Sequence, residues 1–454
     1  IIQSCTITTL IAFLLLCLIA TPIPKRLGLY QYLFSFHPAF IGLYPWTISN
    51  EDQWGFSSKE LYQYTDNEQH NRNRLHGQTA IVTGANSGIG YEISLALVRL
   101  GATVTMACRN PSKCDAAAVK IRKDIAAKDN MVVENKNEKD NKGVGIVRTM
   151  KVDMSSLTSV QKFCIDYYQQ QVQNENDDND NANINDQLIP DMLFFNAGIK
   201  YSDVKDDGSL LSLSEDGIEQ IFATNVVGHH LMYKLLVEQP ITMNTLRHSQ
   251  SQRTRTRTTT KRRPSSIRIV STSSAVSYLN TFPYKVATNL GTLNSVSDPR
   301  DPNLYHQSKL AQILWTQELT SRTLDTDTET DDNDDNNSYS IYANSANPGA
   351  VATKIWENNS SSTGYNDLFW SLFHKFHQLY MWTSEEVALT LLYLGTAVED
   401  LQQQNIRGKY FHPQTKLMEK ENEHQLFAKD NESNTKFLQV ALWKFLDELV
   451  ADFV

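Results

Sequence analysis

With 454 residues the chain exceeds the roughly 250–300 residues at which a single core stops growing. The excess sits in an uncharged N-terminus and four polar insertions, not in a second domain. A net charge of −9 argues against general attraction to nucleic acid. The five cysteines are odd in number and follow neither disulfide-framework nor metal-site spacing. Free thiols in a reducing compartment are therefore expected, and no metal.

Residues 1–23 carry no charge and 10–20 are apolar throughout. A helix of about 20 such residues spans a bilayer's hydrocarbon core. Lys25 and Arg26 come directly after it, so residues 1–24 are read as a membrane-anchor helix in contact with lipid. A cleaved signal peptide ending near Ala20 is the alternative. The chain begins with Ile1, and its true N-terminus is expected upstream. The positive-inside rule puts Lys25, Arg26 and the rest of the chain in the cytosol, with the endoplasmic reticulum as the expected membrane. Residues 25–75 form an extension whose Tyr, Phe and Trp over 27–46 suit a membrane–water interface or packing on the main domain.

The run Thr79-Ala80-Ile81-Val82 predicts a strand, and residues 91–100 predict a helix. Between them lies Thr83-Gly84-Ala85-Asn86-Ser87-Gly88-Ile89-Gly90, the strand–turn–helix context that a dinucleotide needs. Gly84 permits the tight turn, Gly88 lets backbone approach a pyrophosphate, and Gly90 lets the helix pack closely. Asn86, Ser87 and Ile89 complete the cradle, whose helix N-terminus offers N–H groups and a positive dipole end. A second strand over 102–107 leads to Cys108-Arg109-Asn110. An NAD site usually has Asp or Glu there; Arg109 instead suits a 2′-phosphate, which points to NADP(H). The alternative is an Arg that only covers the adenine face.

Four polar stretches interrupt the rest, at 128–142, 173–186, 247–266 and 325–337, and disorder is expected in each. Each precedes an expected strand, at 144–150, 192–195, 267–271 and 340–344. In an open parallel sheet those loops enter at the strands' N-terminal ends, away from the ligand edge. The basic stretch, with Arg253, Arg255, Arg257, Lys261, Arg262 and Arg263, reads as a solvated loop or a contact for anionic lipid or nucleic acid. The acidic stretch over 325–335 precedes the next strand, so the two would attract weakly.

The remaining motifs stand in order: Asp153 after Val152, Asn196-Ala197-Gly198, Asn225 between Thr224 and Val226, Ser274 closing Ile269 to Ser273, Tyr305-His306-Gln307-Ser308-Lys309, and Pro348-Gly349 with Thr353. With the glycine turn they resemble the short-chain dehydrogenase/reductase family, from about His76 to Phe411. Ala107-Cys108-Arg109-Asn110, Glu215-Asp216-Gly217 and Gly408-Lys409-Tyr410-Phe411 resemble its retinol dehydrogenase-like branch. WW-domain oxidoreductases and light-dependent protochlorophyllide reductases carry similar segments. The resemblance implies a single α/β domain over 76–454, a Rossmann-type doubly wound parallel sheet. Asp153 would contact adenine, and Asn196, Ala197, Gly198, Pro348, Gly349 and Thr353 would line the cofactor. Phe195 departs from the family, which usually has a second Asn there; a changed local hydrogen bond is expected.

The implied chemistry is hydride transfer between an alcohol and a carbonyl. Tyr305 would be the acid/base, and a free tyrosine's pKa of about 10 is too high for that work. Lys309, one helical turn on, would lower it by its charge and hold the nicotinamide ribose. Ser274 would position the substrate oxygen, and Asn225 would hold a water in the proton relay. Phe282, Pro283, Tyr284 and Asn289 are placed on the catalytic side as a lid or a longer cleft. The aromatic stripe Phe369, Phe373, Phe376, Tyr380, with Trp356, Trp370 and Trp382, reads either as core packing or as the entrance for an apolar small-molecule substrate such as a retinoid, steroid or fatty aldehyde. A homodimer remains open. Two rival functions are a catalytically quiet NADP(H)-binding scaffold and a plastid pigment reductase; the apolar N-terminus does not resemble the transit peptide that the latter needs.

Overall fold

A computed structural model describes residues 74–132, 145–177, 189–202, 212–239, 266–279, 286–296, 298–328, 340–351, 381–418 and 432–454, with Glu60 singly. The expected anchor at 1–24, nearly all of the extension at 25–75, Phe282 to Tyr284, Thr353 and the stripe from Trp356 to Tyr380 lie outside these residues. Among the described residues no helix is long and apolar enough to cross a membrane.

Five strands start or end within two residues of expectation: β1 (Thr79–Thr83), β2 (Thr103–Cys108), β3 (Ile146–Lys151), β4 (Met192–Phe195) and β5 (Ser266–Thr272). β6 (Ser340–Ala346) runs two residues further than expected, and β7 (Tyr410–His412) and β8 (Lys416–Leu417) close the edge. The order is β3-β2-β1-β4-β5-β6-β7-β8, with every pairing parallel except the last. Strand order reverses between β1 and β4, and such a switch point opens a ligand crevice at the strands' carboxyl ends.

Helices cover both faces, which is why the strands read as nearly continuous apolar runs. Side chains alternate between the two layers, as the pleat requires. Ile81, Leu193, Phe195 and Ile269 point to one core, and Ala80, Val82, Met192, Phe194 and Val270 to the other. The first core is roofed by α3 (Leu157–Asp177), α4 (220–238), α6 (Pro302–Thr328) and α9 (Glu432–Val450). The second is roofed by α1 (Gly88–Arg99), α2 (Pro111–Val132) and α7 (Ser384–Thr396). α4 is a composite: α-helical Gln220–Phe222 and Gly228–Tyr233 alternate with π-helical turns Ala223–Val227 and Lys234–Glu238. Short helices α5 (Leu290–Leu293) and α8 (Val398–Gln403) complete the set.

Three insertions begin as helix. α2 runs to Val132, α3 to Asp177 and α6 to Thr328, so disorder does not start at 128, 173 and 325. Adding a residue to a formed helix costs far less than nucleating one. The fourth ends one residue early, because Ser266 already belongs to β5.

The expectation of free thiols is corrected at two positions. Cys108 and Cys114 are joined by a disulfide, with Cα atoms 6.0 Å apart. The turn from the end of β2 into the start of α2 brings them inside the bridging range of about 4.4–6.8 Å. Cys164 is a free, buried thiol.

Candidate active site

α1 begins at Gly88, three residues earlier than expected, so the last glycines of the turn form its first turn. Its cap residue Ser87 is extended and makes no side-chain cap bond, which leaves first-turn N–H groups for a ligand. Gly84 has φ +67° and Gly88 φ +56°, the left-handed region that favours glycine. A Cβ on Gly84 would stand 3.0 Å from the Ala197 Cα, and one on Gly90 2.6 Å from both the Gly84 oxygen and the Asn196 amide nitrogen. Gly90 therefore serves contact between the glycine turn and the loop after β4, more than contact between helix and strand. Asn86 and Ile89 are half-buried there and Ser87 is exposed. Ile89 also packs against Val351, Trp382 and Val387.

Thr83 pins the crevice. Its hydroxyl accepts from the backbone N–H groups of Asn196 (3.0 Å) and Ala197 (2.9 Å), and its carbonyl accepts from the Asn196 side chain at 3.0 Å. Arg109 is exposed at the end of β2. Asp153, after β3, accepts through Oδ1 from the Ser155 backbone (3.0 Å) and hydroxyl (2.7 Å). Pro348 and Gly349 follow β6, with Gly349 at φ +75°. The buried Asn347 holds that turn: its Oδ1 accepts from the Gly349 N–H (2.9 Å) and the Ala275 N–H (3.0 Å). It thereby ties the cofactor loop to the turn that carries Ser274. Thr353 lies outside the described residues.

Two of the four expected catalytic side chains meet beside Gly198, where a Cβ would stand 3.2 Å from Asn225 Oδ1 and 3.4 Å from Lys309 Nζ; Tyr305 lies against Lys309 and bonds Ser274. Asn225 sits in the first π-turn of α4 and is fully buried. Its Oδ1 accepts from the Ile199 N–H (2.8 Å), and its Nδ2 donates to the Ile199 carbonyl (3.0 Å) and the Ser308 hydroxyl (3.0 Å). Its carbonyl accepts from Gln312 Nε2 and faces His229 Nδ1. Every polar side-chain atom of Asn225 thus has a protein partner, and the relay water implied by the resemblance would have to share them.

Tyr305 and Lys309 both lie near the start of α6, which Asp301 opens by accepting from the Asn303 N–H at 2.8 Å. Lys309 Nζ stands 5.5 Å from the Tyr305 ring centre and donates to the Thr272 carbonyl at 2.8 Å. Burial pushes the Tyr305 phenol up, and a hydrogen bond to Ser274 draws it back. Burial pushes Lys309 down to about 7. The lysine is therefore poised to change charge near neutrality. The expected help to Tyr305 thus depends on Lys309 remaining protonated.

Phe195 bears out its status as a departure. Its ring stacks on His229 at 4.8 Å and meets Trp315 at 5.7 Å, so it joins the core instead of the hydrogen-bond network. Asn289 caps α5 through the Thr292 N–H at 2.8 Å. Trp382, expected in the substrate loop, is core: it is 2% exposed and its backbone N–H donates to the Ala350 carbonyl. Sequence reading quoted Thr83 in the glycine turn but gave it no role, and missed His229, Gln312 and Asn347. No short motif marks His229 or Gln312, whereas Asn347 adjoins Pro348-Gly349 and was within reach.

The sequence model of short chain dehydrogenases matches residues 78–162, from β1 into α3. Retinol dehydrogenase 14 of Homo sapiens is 28% identical over 342 residues, covering 74% of this chain and 78% of that protein. The WW domain-containing oxidoreductase of Gallus gallus is 25% identical over 385 residues, covering 83% and 69%. A solved protein structure from Mycobacterium paratuberculosis is 20% identical over 83% of this chain and 94% of its own, with a TM-score of 0.47. The chain is similar to the short-chain dehydrogenase/reductase family, through the family model over residues 78–162 and through these relatives over about three quarters of its length. Its similarity to the retinol dehydrogenases supports an oxidoreductase of the general alcohol–carbonyl kind with a nicotinamide cofactor.

Proposed function

We propose that the protein is a membrane-anchored, NADP(H)-dependent oxidoreductase that interconverts an apolar alcohol and its aldehyde or ketone, with Tyr305 as acid/base. The observation that carries this reading is the run of contacts from Ser274 to Tyr305 to Lys309, with Lys309 beside Gly198 at the carboxyl edge where the glycine turn also opens. The residues present fit a dinucleotide: the α1 N-terminus, left without a side-chain cap by Ser87, suits the pyrophosphate, and Asp153, after β3, would meet the adenine. Arg109 supports NADP(H), since its planar fork would pair with a 2′-phosphate. When bound, the nicotinamide supplies or takes the hydride.

The chain's own residues do the rest. In reduction, Tyr305 gives its phenolic proton to the oxygen of the carbonyl as that carbon gains the hydride. Ser274 holds the same oxygen in line, and orientation of this kind lowers the barrier. Lys309, held under the Tyr305 ring, favours the resulting tyrosinate whenever it is protonated.

The membrane part rests on the uncharged run before Lys25 and Arg26, and the endoplasmic reticulum with a cytosolic catalytic domain is the site proposed. Alkaline washing of membranes should leave the protein in the pellet; release into the wash would end that part of the proposal.

The activity is tested by incubating the purified full chain with NADPH deuterated at C4 and a series of aldehydes and ketones of rising apolarity, with NADH in parallel. Deuterium should appear at the alcohol carbon, faster with NADPH. Equal rates with NADH would remove the cofactor assignment. Tight NADPH binding without turnover of any substrate would favour the quiet-scaffold reading.

A further inference from the structure

Gln312 lies three residues beyond Lys309 on α6 and is 3% exposed. Its amide bridges two groups of the site: Oε1 accepts from Lys309 Nζ at 3.0 Å, and Nε2 donates to the Asn225 carbonyl at 2.9 Å. Chemistry fixes this orientation. The Asn225 carbonyl only accepts, so it must face the NH2 group, which leaves the amide oxygen for the lysine.

The bridge is one end of a buried chain. The Asn225 carbonyl also faces His229 Nδ1 at 3.0 Å, and His229 Nε2 faces the Thr83 hydroxyl at 3.0 Å. Burial pushes His229 down to about 4, so the ring is neutral at pH 7. With one ring N–H, it donates from Nδ1 to the Asn225 carbonyl, which leaves Nε2 to accept from the Thr83 hydroxyl, whose single proton also faces the Phe194 carbonyl at 3.2 Å. Thr83 in turn accepts from Asn196 and Ala197 at the cofactor crevice. A continuous set of fixed hydrogen bonds thus joins the nucleotide crevice to Lys309, and Gln312 is its last link.

We propose that Gln312 is a positioning residue for the reaction: its amide, locked against the Asn225 carbonyl, holds the Lys309 ammonium beneath Tyr305. The proposal rests on the reading of Lys309 as part of the reacting group. An amide oxygen pointed at an ammonium makes a charge-assisted bond, which favours the charged lysine over the neutral one. Lys309 needs such an acceptor, since desolvation drives its proton off and no carboxylate among the described residues counters it. Around it, α6 offers Tyr305, α4 offers neutral His229, and β5 offers the Thr272 carbonyl. Tyr201 and Tyr410 stand further out, near enough to act on the Tyr305 phenol. Gln312 is thus the side-chain acceptor that the structure sets against this ammonium.

The test reads Lys309 directly. Full-length protein labelled with 13C at the lysine side chains is titrated by NMR, with the Lys309 signal assigned by Lys309→Met. Gln312→Leu removes the acceptor and should lower the Lys309 midpoint by about one to two pH units. Gln312→Glu keeps the shape, adds a negative charge and should raise it. Turnover should fall at least about tenfold in Gln312→Leu through kcat, with KM for NADPH little changed, and the pH profile of kcat should move with the lysine midpoint. A Lys309 midpoint that is the same in wild type and both variants overturns the proposal. Should Gln312→Leu fail to fold, the near-isosteric Gln312→Glu decides alone. Full turnover in Lys309→Met would instead sink the catalytic reading and leave the titration to judge Gln312 separately.

Discussion

Glu219 carries a cost that the site imposes on the fold. It caps the start of α4, with its carboxylate accepting from the Ile221 N–H (2.9 Å) and the Phe222 N–H (2.7 Å). It is 3% exposed, and burial pushes it up to about 7 against the pull of those two bonds. A raised acid pKa in the folded state gives stability that is full below the unfolded value and lost as pH rises through the folded one. Glu219 should therefore withdraw on the order of 2–3 kcal/mol between pH 4.5 and 8. Glu219→Gln cannot ionise, so the gap between its urea-unfolding free energy and the wild type's should change with pH in that window. Parallel profiles would show that the carboxylate is not buried as described. At this scale the sequence was legible where chemistry is local. Ser274, Tyr305 and Lys309 stand in short motifs at strand and helix ends. The bridge from Thr83 through His229 and Asn225 to Gln312 was hidden, because its partners lie 146 and 87 residues apart along the chain.

At the scale of elements, α4 and α9 decide how firmly the site is held. The π-turn Ala223–Val227 shifts the helix register at Asn225, and such turns recur at functional sites. No apolar periodicity could announce it, since the residues on either side remain helical. α9 lies over the face that α4 and α6 share. Trp443 stacks on Trp315 at 6.0 Å, meets Tyr233 and His230 edge-on, and takes the Arg322 guanidinium over its ring at 4.8 Å. His230 is held below, donating to Asp447 and accepting from the Trp315 indole, each at 3.0 Å. Trp443→Ala should cost about 3–5 kcal/mol in urea unfolding, the usual toll of emptying a buried aromatic site. A loss below about 1 kcal/mol would show α9 to be loosely attached. Because α9 covers this face within one chain, a homodimer would have to form elsewhere or displace it.

For the whole molecule, what matters is which edge of the sheet each segment meets. Gly84, Arg109, Asp153, Asn196, Ser274 and Gly349 all follow carboxyl ends of parallel strands, whereas the insertions lead into the N-terminal ends of β3, β4, β5 and β6. The alternation of strand and helix signals made that arrangement legible, because a right-handed parallel crossover leaves few topologies to consider. Loop polarity misjudged where three helices stop and, by one residue, where β5 starts. The disulfide between Cys108 and Cys114 was not legible, since it depends on how β2 turns into α2 and not on cysteine count. The central claim is that this carboxyl edge performs hydride chemistry with Tyr305 as its proton donor. Its most direct test is the single-turnover rate of Tyr305→Phe with saturating NADPH and the best carbonyl substrate. The rate should fall by about two to four decades while the NADPH dissociation constant stays within about threefold of wild type. A variant that reduces the substrate at the wild-type rate would contradict the account.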